Sequence, residues 1–134
     1  MGGESLLQHQ ILPASGLIQA IIQDVQTREV LTLVTLNQEA LEKIAVTGRV
    51  HFYHPRQRKV MAKGENSGHF QEVQEIRRHC QEGILLILVK SHGGGCEDGY
   101  HSCFYRQLQP QGWIIADPQI FDPEEVYPEF AFSH

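Results

Sequence analysis

The chain has 134 residues, 41% of them hydrophobic, which suits one small globular domain and gives no sign of disorder. Its 16 acidic against 11 basic side chains, a net charge of −5, argue against a general nucleic-acid binder, which needs surplus Lys and Arg to neutralise phosphates. The longest apolar run, Ile84 to Val89, is too short to span a bilayer, and the N-terminus lacks a basic n-region followed by an apolar h-region, so a cytoplasmic protein with no membrane partner is expected.

In chain order, Gly16 to Asp24 (GLIQAIIQD) reads as a strand, Val25 to Arg28 as a polar break, and Glu29 to Leu36 as its hairpin partner. Asn37 has the character of a helix N-cap, with Ala40, Leu41 and Ile44 as the buried stripe and Gly48 as the stop. Val50 to Tyr53 is a short strand ended by Pro55, and Lys63 to Gly68 (KGENSG) is a loop. Phe70 to Ile76 alternates as a strand, Arg77 to Gly83 is a polar turn, and Ile84 to Val89 suits a central strand. Ser91 to Gly99 is the loosest stretch. Cys103 to Leu108 and Trp113 to Ile115 read as final strands around a turn at Pro110 to Gly112, and the tail from Asp117 is irregular or a single helical turn. The expectation is one mainly β (α+β) domain over residues 1–134, with one main helix and flexible ends at 1–15 and 129–134.

Three cysteines are an odd number and describe no disulfide framework, while eight histidines keep metal chemistry in view. Cys96 and Cys103 bracket a glycine-containing loop, Cys80 sits at a strand junction, and the run Gly93 to Gly95 allows the later loop to fold back. As a zinc site, three thiolates leave the fourth tetrahedral position open for water or substrate, the pattern of a catalytic metal. His79, His92 or His101 could instead close it; equally, the three cysteines could be separate buried thiols. In the KGENSGH stretch, Gly64 and Gly68 permit close backbone approach, Ser67 and nearby amides can cradle an anion, Lys63 offers charge, and Glu65 and His69 offer acid–base chemistry. Arg49, Arg56, Arg58, Lys59 and Lys63 form a local basic cluster suited to a small phosphorylated ligand or, more blandly, a solvated strand edge.

The stretches GLIQAIIQD at Gly16, EVL at Glu29, NQEAL at Asn37, TGRVHFY at Thr47, KGENSGHFQ at Lys63, SCFYR at Ser102 and IFDPEEVY at Ile120 resemble phosphoribosyl-AMP cyclohydrolase, a family of histidine biosynthesis, over residues 15–128. The resemblance implies that family's fold, an intertwined homodimer, and a zinc held by Cys80, Cys96 and Cys103 drawn from both subunits; His79 or His101 as a fourth or supporting ligand stays a reading of the residues themselves. It also implies a nucleotide-like substrate, phosphoribosyl-AMP, whose ring is opened between N1 and C6 by zinc-bound hydroxide; this chain's local departures from the family leave room for ring opening or deamination of a related purine-like amidine instead. Arg49, Lys63, Gly64, Ser67 and Gly68 are then assigned to substrate binding and His69 and Glu65 to catalysis, with Glu97, at a position where the family has histidine, as a new carboxylate beside the zinc for acid–base work.

The departures are local. Where the family usually has Asp-Cys-Asp-x-Asp, this chain has His79-Cys80-Gln81-Glu82-Gly83, so the three magnesium carboxylates are missing and a Mg²⁺ site is not expected. The usual Cys-His-Thr-Gly is Cys96-Glu97-Asp98-Gly99, and the tryptophan before KGE is Met61. The pattern describes a divergent paralogue; the alternative function is a non-catalytic, zinc-stabilised dimer that binds a nucleotide or a protein.

Overall fold

A computed structural model of the chain describes residues 12–64, 68–93, 96 and 99–126. Its centre is a four-stranded sheet built from β1 (Ile18–Asp24), β2 (Val30–Leu36), β5 (Gln71–Arg78) and β6 (Ile84–Ser91) in the order β2-β1-β6-β5. β1 and β2 form the expected antiparallel hairpin, β6 runs parallel to β1, and β5 returns antiparallel to β6. Helix α1 (Gln38–Thr47) crosses one face. Asn37 caps it by accepting the Ala40 N–H at 2.9 Å, and Gly48 ends it in the left-handed region at φ 71°, where a side chain is disfavoured. Ala40, Leu41 and Ile44 seat on Ile18, Ala20, Ile22, Leu85, Ile87 and Val89, the alternate residues of β1 and β6 that face the helix, and form the core.

Two ribbons complete the described chain. β3 (His51–His54) pairs with β4 (Lys59–Ala62), and β7 (Arg106–Gln109) with β8 (Gly112–Ile115); a single turn, α2 (Pro123–Val126), follows. Most strand ends fall within two residues of the sequence reading, and the differences that matter lie elsewhere. β4 was not foreseen, β5 runs two residues past Ile76, and Ser91 belongs to β6 rather than to the loop. Cys103 to Tyr105 lie outside β7, because the Cys103 N–H turns away to the Leu31 carbonyl at 2.7 Å. The expected ends at 1–15 and 129–134 fall mostly outside the described residues.

The sheet face away from α1 is apolar too. Leu33, Ile21 and Leu86 lie side by side across β2, β1 and β6, and Leu33 is 53% exposed. Ile21, Ile84 and Leu86 line a shallow groove of about 290 Å³ with Arg77, Arg78 and His79 at its border. On the β7–β8 ribbon, Leu108, Trp113, Ile114 and Ile115 are all exposed, Trp113 at 69%. No helix among the described residues is long and apolar enough to cross a membrane.

Candidate functional site

Because β1 and β6 are parallel, both chains leave the sheet at the same end, and that end collects most of the chemistry. Asp24 closes β1, Ser91 closes β6, and β5 begins there at Gln71 directly after the KGENSGH stretch. The ends of parallel strands are natural ligand sites, since the connecting loops diverge there and leave a crevice.

A β-bulge anchors the cysteine loop. Between Ile22 and Gln23 the β1–β2 register slips, so Leu31 is the extra residue, and its carbonyl is turned out of the ladder. That carbonyl takes the Cys103 N–H, while the Ser102 hydroxyl donates to the Val30 carbonyl at 2.6 Å. Upstream, the Cys96 N–H bonds the Tyr100 carbonyl at 3.0 Å and closes a tight turn. Gly99 at φ 95° lets this turn meet Phe121, whose N–H and that of Ile120 both reach the Gly99 carbonyl. Cys96 is 7% exposed; Cys103 is exposed.

His101, between these cysteines, is fixed by a carboxylate that the sequence reading did not single out. Its Nε2 lies 3.1 Å from Asp24 Oδ2, and Asp24 is 6% exposed. The other oxygen, Oδ1, accepts the N–H groups of Gln26 and Thr27 at 2.8 and 3.1 Å, so the carboxylate itself is held still. A strand-ending Asp followed by a polar turn is the signal that could have found it.

The KGENSGH loop approaches from the β5 side. Gly64 and Gly68 both have positive φ, 84° and 77°, and the Gly68 N–H closes the loop on the Gly64 carbonyl at 2.9 Å. A Cβ at Gly64 would strike the backbone of His69 and Phe70. The His69 ring lies against Gly93 on one side and meets Phe121 edge-on at 4.8 Å, which brings the proposed proton-transfer residue to the cysteine-loop end of the sheet. Phe70 is sandwiched between the Arg49 guanidinium at 3.9 Å and the His92 ring at 4.3 Å. His92 Nε2 lies 3.2 Å from Glu72 Oε1, but too obliquely for a hydrogen bond.

Of the basic cluster, Lys63 and Arg49 stay near this end, where the Lys63 N–H bonds the Val50 carbonyl at 2.9 Å. Arg56, Arg58 and Lys59 ride out to the tip of the β3–β4 ribbon. Glu65, Ser67, Glu97 and Asp98 lie outside the described residues.

Cys80 is elsewhere. It follows β5 at the other end of the sheet, where the His79 N–H bonds the Ile84 carbonyl at 3.1 Å, and it is exposed. His79 Nδ1 accepts the Gln81 N–H at 2.9 Å and lies 3.7 Å from the Cys80 sulfur. Cys103 is anchored to β2 and Cys80 follows β5, the two edge strands, and they sit at opposite ends of them. At about 3.3 Å per residue and 4.8 Å per strand, they occupy corners more than about 15 Å apart. Zinc–sulfur bonds of about 2.3 Å would need the sulfurs within about 5 Å of one another. Among the described residues, no three His, Cys, Asp or Glu side chains of one chain converge on a metal-sized point. The donor types fit zinc; their placement within a single chain does not complete a site.

A small β-rich domain with cysteine and glycine loops gathered at one end of its sheet matches a known enzyme class. The family model for phosphoribosyl-AMP cyclohydrolase matches residues 32–105. Phosphoribosyl-AMP cyclohydrolase of Methanosarcina barkeri is 47% identical over 112 residues, covering 84% of each chain. That of Methanosarcina acetivorans is 45% identical over 113 residues, 84% of this chain and 92% of the other. That of Nitrosospira multiformis is 41% identical over 115 residues, 85% of this chain and 88% of the other. The chain belongs to the phosphoribosyl-AMP cyclohydrolase family.

Proposed function

We propose that the protein is a cytoplasmic, homodimeric cyclohydrolase that hydrolyses phosphoribosyl-AMP, with each zinc held by Cys80 of one copy and Cys96 and Cys103 of the other. The observation that carries this reading is the distribution of the thiols: two at the end of the sheet that also carries His69 and the Gly64–Gly68 turn, the third at the far corner of the same sheet. A second copy can bring its Cys80 to that pair. The apolar second face of the sheet and the exposed β7–β8 ribbon supply surface for such a copy, since a lone two-stranded ribbon is barely stable in water.

Zinc held there would act as a Lewis acid and make water nucleophilic near neutral pH. In the net reaction water adds its oxygen to C6, the N1–C6 bond breaks, C6 becomes a carboxamide carbon, and a proton ends on N1. His69, its ring fixed by Gly93 and Phe121, is placed to move that proton. Lys63 and Arg49 bring positive charge for phosphate, and the Gly64–Gly68 turn brings backbone close to the ligand. Asp24 and His101 keep the cysteine loop in place.

The test is turnover of phosphoribosyl-AMP by purified, zinc-analysed protein, with and without Mg²⁺. The expected result is ring-opened product, near one zinc per chain, and a rate that Mg²⁺ changes by less than about twofold, because positions 79, 81 and 83 carry His, Gln and Gly rather than carboxylates. Zinc binding without turnover would reject the enzymatic reading in favour of the non-catalytic dimer, which the same missing carboxylates support. Turnover that requires Mg²⁺ would mean that a carboxylate set elsewhere had replaced them.

A further inference from the structure

Gln71 is the first residue of β5 and is completely buried, yet neither its amide nitrogen nor its amide oxygen has a hydrogen-bond partner. Its backbone lies opposite Ser91 of β6, and its carbonyl accepts the Val50 N–H at 3.0 Å. Alternation along β5 puts its side chain on the same face as Val73, and the ladders put Asp24 and Ser91 on that face at the same end. An unmet buried donor and an unmet buried acceptor are each costly, and a methionine or leucine would fill the same volume without that cost. This carboxamide follows directly on the KGENSGH loop, at the end of the sheet that Asp24 and Ser91 share.

We propose that Gln71 reads the purine base, its carboxamide pairing with the N6 and N7 edge of a 6-amino purine. A Gln side chain matches that edge with one donor and one acceptor, the bidentate geometry by which Gln recognises adenine elsewhere. Grip on N6 also fixes the neighbouring C6, the carbon that the proposed reaction attacks, so Gln71 would orient the reacting carbon as well as select the base. A 6-oxo purine offers two acceptors along the same edge and leaves the glutamine oxygen unmet. The assignment rests on the proposed ring-opening function for its substrate, though base selection can be measured without turnover.

Two measurements test it. In the first, AMP and IMP are titrated against the zinc-loaded protein; AMP is expected to bind at least about tenfold more tightly in the wild type, and the preference to fall below twofold in Gln71→Met. In the second, the same variant is expected to keep or raise its melting temperature while kcat/KM for phosphoribosyl-AMP drops about ten- to a hundredfold. Equal AMP and IMP binding by the wild type overturns the proposal without reference to any variant's folding. A folded Gln71→Met with kcat/KM within twofold of wild type overturns it as well. A wild type that prefers AMP but never turns over phosphoribosyl-AMP rejects the enzymatic reading and leaves the base assignment standing.

Discussion

At the scale of single residues, this site depends on backbone conformations that few side chains permit. Gly64 combines a φ of 84° with a position where any Cβ would meet the His69 and Phe70 backbone. Gly64→Ala should therefore displace the loop that carries Lys63 and His69. The expected outcome is a fall in kcat/KM of at least about tenfold, with a melting temperature lowered by only a few degrees; unchanged kinetics would show that this loop does not position the substrate. The conformations of such residues were legible from type and spacing: Asn37 and Gly48 as caps, Gly64 and Gly68 as the turn glycines of KGENSGH. Asp24 and Gln71 were not, because their importance comes from burial and partners that only the folded sheet assigns.

Among the elements, hydrophobic pattern found the central strands and the helix, since α1, β1 and β6 carry the core and their sequences must show it. β4 escaped because Lys59 to Ala62 buries little and is held as a strand by pairing with β3. The segment Cys103 to Tyr105 was misread as strand because its path is set by a bulge seventy residues away. The β7–β8 ribbon was found as two strands, but its exposed Leu108, Trp113 and Ile115 say more than its secondary structure does. If that ribbon grips a second copy, Trp113→Glu should shift the protein from dimer to monomer in sedimentation and lower zinc content at the same time. A variant that stays dimeric with full zinc would remove the ribbon from the interface.

For the molecule as a whole, the run Ile84 to Val89 suggested a central strand; one chain buries its face beneath α1, while on the other face Leu88 is buried but Ile84 and Leu86 are only partly covered and neighbouring Leu33 is exposed. The proposed second copy would cover the second apolar face and the exposed ribbon and complete the divided thiols. The residues by themselves did not reveal how the thiols are divided, which only the family resemblance implied, because which end of a sheet a cysteine reaches is decided by strand order and direction.

Subunit complementation tests this arrangement most directly. Cys80→Ser and Cys103→Ser chains, each purified alone, should lack both tightly bound zinc and turnover of phosphoribosyl-AMP. Mixed and allowed to exchange, they should form heterodimers in which one site has all three thiols, restoring zinc and activity to roughly a quarter of the wild-type level for random pairing. Zinc and activity that stay absent after exchange, with heterodimers demonstrably formed, would contradict a site shared between two copies.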